Sequence, residues 1–226
     1  MDSLWAALGP LVLGSALVPA QLVVTIMLLR STAGGRRAAA AFIAGMTAVR
    51  LAQGGVFGLA VSGSRADDDV ATATTLKSTL LLVVAILLLV MAVRKLLTGE
   101  DPDAPPPAWL ERTTRMGSRQ AFLAGAGLLI IAPKFWVFTL GAITAIQAAA
   151  LGRLVAVMSF LLFVAFAVLP LVSIVGVSMA APDRSDELLE RLSAWLKRNN
   201  RTIVIGVGLV FGAWFLMQAL TGLDVL

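Results

Sequence analysis

The sequence contains no cysteine, no histidine and no tyrosine. Thiol–disulfide exchange, haem ligation and metal sites built from cysteine and histidine are therefore excluded as functions of this chain. Charge is also scarce, since only 14% of the residues are charged while 59% are hydrophobic. The mean hydropathy is +0.92, whereas ordinary globular proteins carry about 25% charged residues. The composition predicts an integral membrane protein.

Long apolar runs mark the predicted membrane spans. Six of them lie near 4–29, 38–61, 76–96, 120–149, 153–180 and 202–221. Because the runs are continuous rather than alternating, the strands of a membrane barrel are not expected. The predicted fold class is all-α integral membrane, with six transmembrane helices and no separate domain outside the bilayer.

The positive charges are distributed unevenly between the loops that these spans define. Successive loops belong alternately to two sets, one for each side of the membrane. One set contains 13 lysines and arginines, and the other contains 3 together with the acidic run Asp67–Asp69. Because cytoplasmic loops are rich in lysine and arginine, the bias predicts a multi-pass protein of the plasma (inner) membrane with both termini outside. The excess of positive charge is assigned to these loops, and no nucleic-acid partner is expected. A cleaved signal peptide is not expected either, because no basic residue precedes the first apolar run.

A proline-rich segment divides the six predicted helices into three and three. It contains Asp101–Pro107, which cannot continue a helix. We predict a first three-helix repeat at 1–97, a cytoplasmic linker at 98–118 and a second three-helix repeat at 119–226. Within the second repeat, the segment near 183–198 predicts an interfacial amphipathic helix with Leu188, Leu192, Trp195 and Leu196 on one face. The alternative is a cytoplasmic extension of the last span.

Two prolines occupy matching places in the two halves. Pro19 and Pro133 each lie mid-span in the first helix of their half, and polar Gln21 and Lys134 follow them. Because each half has an odd number of spans, the halves would lie in opposite orientations, as in the inverted repeats of many transporters. The fourth predicted helix would be about 48 Å long if straight, against a hydrocarbon core of about 30 Å. A broken helix is therefore expected at Pro19 and at Pro133, with a binding site between the two breaks. The alternative is that both prolines only kink their helices. For Pro170, a simple kink is our interpretation.

Two cations are predicted inside the membrane without a carboxylate partner. Arg50 and Lys134 lie near mid-span, where a charge costs about 2.5–3.5 kcal/mol, and all 13 carboxylates lie in loops or termini. Such an interior suits a phosphate, sulfate or carboxylate group rather than a metal cation. The predicted substrate-binding residues are Pro19, Gln21, Arg50, Gln53, Pro133, Lys134 and Gln147. The alternative is that both cations bond to carbonyls freed by the broken helices. No metal and no cofactor is expected.

Two pairs of glycines have the spacing of close helix contacts. They are Gly54 with Gly58 and Gly208 with Gly212. The spacing does not distinguish contacts within one chain from contacts between copies, so a homo-oligomer is one possibility.

Several short motifs resemble a known transporter group. They are the run from Pro19 through Val23–Leu29, the arginine-rich turn Ser31–Arg37, Phe42–Met46, and Ala132-Pro133-Lys134. The chain resembles the LysE transporter superfamily and, within it, the GAP group, the glycopeptidolipid- and sulfolipid-addressing proteins of mycobacteria and other actinobacteria. The resemblance implies six helices in inverted three-helix repeats. It also implies export of solutes, or delivery of anionic or glycosylated lipids to the cell envelope.

The leading functional hypothesis is a transporter that moves an anionic envelope lipid, or a smaller anionic metabolite, outward from the cytoplasmic side. One alternative is an amino-acid exporter of the LysE type. Another is a non-catalytic membrane scaffold that assists a larger lipid exporter. An enzyme is not expected, because no histidine, cysteine or intramembrane acid offers a general base.

Overall fold

The described part of the chain consists of helices joined by short connections. The computed structural model describes residues 2–31, 34–63, 70–98, 113, 115–180 and 182–223, and it contains no strand in these ranges. The helices are α1 (Asp2–Ala16), α2 (Pro19–Leu29), α3 (Gly35–Gly63), α4 (Val70–Leu97), α5 (Ser118–Ile131), α6 (Pro133–Ala148), α7 (Arg153–Ala180) and α8 (Pro182–Gly222). The all-α prediction is confirmed. Most of the predicted linker, including Asp101–Pro107, and the acidic run Asp67–Asp69 lie outside the described residues.

Both predicted helix breaks are present. The first apolar run is divided into α1 and α2, whose axes are bent by 45°, and the fourth is divided into α5 and α6 at Ala132. Proline is the first residue of the new helix in each case, where its missing N–H costs nothing. The residue before each proline is extended, as proline requires, with ψ of 112° at Val18 and 105° at Ala132. Pro170 instead lies inside the continuous α7 and does not divide it.

Several helices are long and apolar enough to cross a bilayer. Among the described residues these are the stretches Gly35–Gly58, Arg153–Ala180 and Arg198–Gly222, with the bent pair α1 and α2 as a fourth. Helices α5 and α6 are shorter apolar helices. Many large apolar side chains on the outer faces are exposed, Ile131 at 80% and Leu154 at 76% among them. A hydrocarbon environment explains this exposure, because exposed apolar area of this extent is unusual in soluble proteins.

The last helix is longer than the predicted final span. Helix α8 runs through 41 residues, which corresponds to about 60 Å. The predicted amphipathic segment 183–198 is therefore the first part of one continuous helix, as the alternative interpretation proposed. Its buried stripe is Leu189, Ser193 and Leu196, whereas Leu188 and Trp195 of the predicted apolar face are exposed. The buried stripe differs from the predicted apolar face because this part of α8 packs against the rest of the bundle.

The buried apolar side chains form two clusters. The first cluster is built mainly by α2, α3 and α5 and includes Leu22, Ile26, Phe42, Met46, Leu129, Phe135 and Leu171. The second cluster is built mainly by α1, α6 and α8 and includes Leu4, Leu8, Leu11, Phe138, Ile146, Phe211 and Phe215. The chain passes from the second cluster to the first at the α1–α2 break, and from the first to the second just after the α5–α6 break. The two broken helices therefore run through the core in opposite directions.

Glycines allow helices of the same chain to approach closely. A Cβ atom added to Gly208 or Gly212 would meet side chains of α4, and one added to Gly54 would meet the ring of Phe160 on α7. Three of the four predicted contact glycines thus face neighbouring helices within this chain. Gly58 differs, since an added Cβ would have no heavy atom within 4 Å.

Helices α3 and α5 approach each other closely enough for their backbones to touch at two glycines. A Cβ on Gly45 would overlap the carbonyl oxygen of Phe122, and a Cβ on Gly125 would overlap that of Phe42. Backbone carbonyls cannot rotate away as a flexible side chain can. Substitution of either glycine should therefore force the two helices apart.

The α3–α5 contact predicts that alanine substitutions at two glycines of α5 have opposite effects on stability. We expect Gly125→Ala to destabilise the protein by about 1–3 kcal/mol, the usual effect of overpacking. The control is Gly127→Ala, because a Cβ at Gly127 meets open space. Alanine is the better helix former by about 0.8–1 kcal/mol, so Gly127→Ala should keep or raise the melting temperature in detergent. Equal melting of the two variants would contradict the close contact.

Candidate functional site: a buried arginine beside the second helix break

The first helix break is closed by a predicted site residue. Gln21 is fully buried, and its Nε2 donates hydrogen bonds of 2.9 Å to the carbonyl oxygens of Ser15 and Ala16. These carbonyls belong to the last turn of α1, which has no further helical N–H groups to bond them. None of the described residues donates a hydrogen bond to the Oε1 atom of Gln21. Gln21 therefore stabilises the break.

A different side chain closes the second break. The indole Nε1 of Trp136 donates a hydrogen bond of 3.0 Å to the carbonyl oxygen of Ile130. Ile130 precedes Pro133 by three residues, just as Ala16 precedes Pro19. Each break thus has one side chain from the new helix that bonds to the carbonyl three residues before the proline.

A buried threonine also occurs at the same distance from the proline at each break. Thr25 and Thr139 each lie six residues after the proline and are buried. The Oγ1 atom of Thr25 donates to the carbonyl of Gln21 at 2.8 Å, and that of Thr139 donates to the carbonyl of Phe135 at 3.1 Å. Neither threonine is among the predicted site residues, although their equal distance from the two prolines is visible in the sequence.

Arg50 is the central feature of the candidate site. Its side chain is 0% exposed, and none of the described residues accepts a hydrogen bond from its Nε, Nη1 or Nη2. It contacts the ring of Phe135, the third residue of α6, whose centroid is 5.9 Å from the Arg50 Cζ. This is a cation–π distance. The guanidinium is therefore held against the start of the second broken helix.

Gln53 lies one helical turn beyond Arg50 and shares its environment. It is 6% exposed, and neither its Oε1 nor its Nε2 has a hydrogen-bond partner among the described residues. Both side chains are buried inside the bundle, and their neighbours on α3 contact both clusters, since Val49 packs on the first and Gly54 faces Phe160 at the edge of the second. A polar pair without partners at this depth is energetically unfavourable, since buried polar groups are normally hydrogen-bonded.

The surroundings of Arg50 favour an anion. The start of α6 is the positive end of a helix dipole, and the two carboxylates whose side chains the structure describes, Glu187 and Glu190, are exposed on α8. A guanidinium offers five N–H donors in a planar fork that matches sulfate, phosphate or carboxylate oxygens. The amide of Gln53 can donate to the same group. Among the described residues, no cluster of three or more acids could hold a metal ion.

The remaining predicted site residues are Pro19, Pro133, Lys134 and Gln147. Pro19 is buried at the start of α2. Lys134 is the second residue of α6, beside the break, but its side chain and that of Pro133 lie outside the described residues. Gln147 lies 12 residues after Phe135 on α6, or about 18 Å along the helix. It lines a separate cavity between α3, α6 and α7.

Comparison with known proteins places the chain in a family. A family model described as SfLAP, "Sap, sulfolipid-1-addressing protein", matches residues 8–221. No curated protein and no solved structure matches the chain. The family match confirms the resemblance to the GAP group, whereas membership of the wider LysE superfamily stays a prediction. Because the match covers nearly the whole described bundle, this membrane protein belongs to the sulfolipid-1-addressing protein family.

Proposed function

We propose that this protein translocates an anionic envelope lipid outward from the cytoplasmic side of the membrane, with Arg50 binding the lipid headgroup. The observation that carries the proposal is the fully buried guanidinium without a described hydrogen-bond partner. A buried charge of this kind costs several kcal/mol unless it is paired. A transient anionic ligand would supply the missing partner.

The family description supports the class of ligand. It names the addressing of a sulfolipid, and a sulfate ester carries a negative charge at neutral pH. Three sulfate oxygens can accept the paired donors of Arg50, and Gln53 supplies further donors. Lys134, next to the break, is the second proposed cation. A smaller anionic metabolite would be bound by the same groups.

The proposed architecture is a pair of inverted three-helix repeats with six spans. It is supported by the two proline breaks, the matched Thr25 and Thr139, and the opposite order in which the broken helices pass through the two clusters. The lysine and arginine bias of the loops supports a plasma-membrane orientation with both termini outside. In transporters of this kind, substrates bind near the bilayer midplane where helices are broken.

The proposal is tested with purified protein in proteoliposomes. We would measure the transfer of a fluorescent sulfated glycolipid between leaflets, beside the same glycolipid without its sulfate, with and without a proton gradient. We expect the protein to favour the sulfated lipid by about tenfold or more, because one charge-assisted contact is worth at least this factor.

The alternatives give different results in the same vesicles. Transfer of neither lipid under any gradient would contradict translocation and support the scaffold. Equal transfer of both lipids would contradict a headgroup site at Arg50. Uptake of radiolabelled lysine without lipid transfer would support an amino-acid exporter.

A further inference from the structure

A second site lies on the lipid-facing side of the bundle, away from Arg50. Helices α3, α6 and α7 enclose a cavity of about 540 Å³. This volume lies within the range of about 300–1,000 Å³ that is typical of ligand pockets. Its walls are mainly apolar and include Leu51, Ile146, Val157 and Leu161. Leu51, Val157 and Leu161 are exposed, so the cavity opens toward the surrounding hydrocarbon.

Glycine creates the space in this cavity. Gly54 faces inward, where an added Cβ would meet the ring of Phe160, but its neighbour Gly55 would meet no heavy atom within 4 Å. Gly58, one turn further along, also faces open space. Helix α3 therefore packs through Gly54 and leaves a groove at Gly55 and Gly58.

The polar groups of the cavity come from the α6–α7 connection. Gln147 belongs to the last turn of α6, and Arg153 is the first residue of α7 and is exposed. The remaining named lining residues are apolar. The groove from Leu51 to Gly58 is about 10 Å long at the helical rise per residue. It is therefore shorter than the thickness of one leaflet, which is half of the hydrocarbon core, or about 15 Å. An apolar groove that fits within one leaflet and has a cation beside it suits part of one acyl chain and the headgroup of an anionic lipid.

We propose that this cavity binds an acyl chain of an anionic membrane lipid, whose phosphate or sulfate headgroup is held by Arg153 and Gln147. The chain lies along Gly55 and Gly58, where no side chain obstructs it. The site is distinct from the interior site at Arg50, because its lining residues do not include Arg50, Gln53 or Phe135. Its occupancy does not depend on translocation.

Native mass spectrometry of the purified protein tests the site. The probes are phosphatidylglycerol and phosphatidylcholine with identical acyl chains. We expect the wild-type protein to retain phosphatidylglycerol preferentially. Gly55→Leu should lower the retention of both lipids by about tenfold, because the leucine side chain occupies the groove. Arg153→Gln should abolish the preference for phosphatidylglycerol and lower phosphatidylcholine retention less, because the choline cation offsets the charge of the phosphate that both lipids carry.

Matched variants separate the site from general effects on the bundle. Gly127→Leu places the same side chain in open space on α5, and it should retain both lipids as the wild type does. Gly58→Leu repeats the test if Gly55→Leu does not fold. Wild-type retention in a folded groove variant, or an unchanged preference in Arg153→Gln, would overturn the proposal.

A cross-linking experiment locates the lipid directly. Phosphatidylglycerol with a photoactivatable group in one acyl chain should label peptides that contain residues 51–58 and 156–161. Labelling spread evenly over all exposed helices would overturn the site. The variant Arg50→Met should retain this labelling even if it no longer transfers lipid, so failure of the interior site and failure of the groove are distinguishable.

Discussion

Arg50→Met should leave the bundle at least as stable as the wild type and abolish preferential transfer of the sulfated lipid. The substitution removes a buried charge that has no described hydrogen-bond partner. It also removes the contact with the Phe135 ring, which is worth about 0.5–2 kcal/mol. Replacing buried charges by apolar side chains is often neutral or stabilising by about 1–4 kcal/mol. We therefore expect an equal or higher melting temperature.

The expected loss of transfer is large. A charge-assisted hydrogen bond contributes about 1.5–3 kcal/mol, which corresponds to roughly 10- to 100-fold in rate or affinity. Arg50→Lys should retain part of the transfer, because it keeps the charge but loses the planar fork. A stable Arg50→Met protein with wild-type transfer would refute the role of Arg50 in binding.

Arg201 offers a matched control for the stability measurement. Its Nε and Nη2 donate hydrogen bonds to the carbonyl oxygens of Lys95 and Leu96 at the end of α4, at 3.2 and 2.8 Å. Arg201→Met should therefore lower the melting temperature, opposite to Arg50→Met. If Arg50 were a structural residue of the same kind, both variants would be destabilised.

Gln21→Leu and Gln53→Leu should also have different effects on the stability of the protein. Gln21→Leu leaves the carbonyls of Ser15 and Ala16 without their side-chain donor, and a buried carbonyl without a partner costs about 1–3 kcal/mol. Since two carbonyls lose this donor, we expect Gln21→Leu to be destabilised by about 2–6 kcal/mol in total. Gln53→Leu removes an amide without a described partner, so its stability should be unchanged or higher.

Thermal melting and lipid transfer together test this pair. Gln21→Leu should lose stability first, because the break between α1 and α2 is no longer closed. Gln53→Leu should instead melt normally and transfer the sulfated lipid less well, since the amide is proposed to contact the headgroup. Equal destabilisation of the two variants would show that Gln53 has a structural role comparable to that of Gln21.

Features that depend on neighbouring residues in the chain could be predicted from the sequence. The helical membrane fold follows from long apolar runs. Both helix breaks follow from proline, which lacks an N–H and constrains the residue before it. The lack of a carboxylate beside Arg50 is a prediction from the sequence, because every acid lies near a loop or terminus, and none of the described residues accepts a hydrogen bond from Arg50. The family resemblance rested on the same local motifs.

Other features depend on which groups meet across the bundle. Gln21 and Gln53 are both predicted substrate-binding glutamines, yet one bonds to two carbonyls and the other has no described partner. Gly54 and Gly55 are adjacent, yet one packs against Phe160 and the other opens a groove.

The sequence by itself therefore determined that this is a helical membrane protein with two broken helices and a cation in its interior. Hydropathy and proline geometry act within a few residues, so tertiary contacts do not change them. Only the tertiary structure decided that Arg50 lies against Phe135, that Gln147 belongs to a separate cavity, and that residues 183–198 continue into the last span. Hydrogen-bond satisfaction and cavity shape arise from residues far apart in the chain, and packing alone brings those residues together.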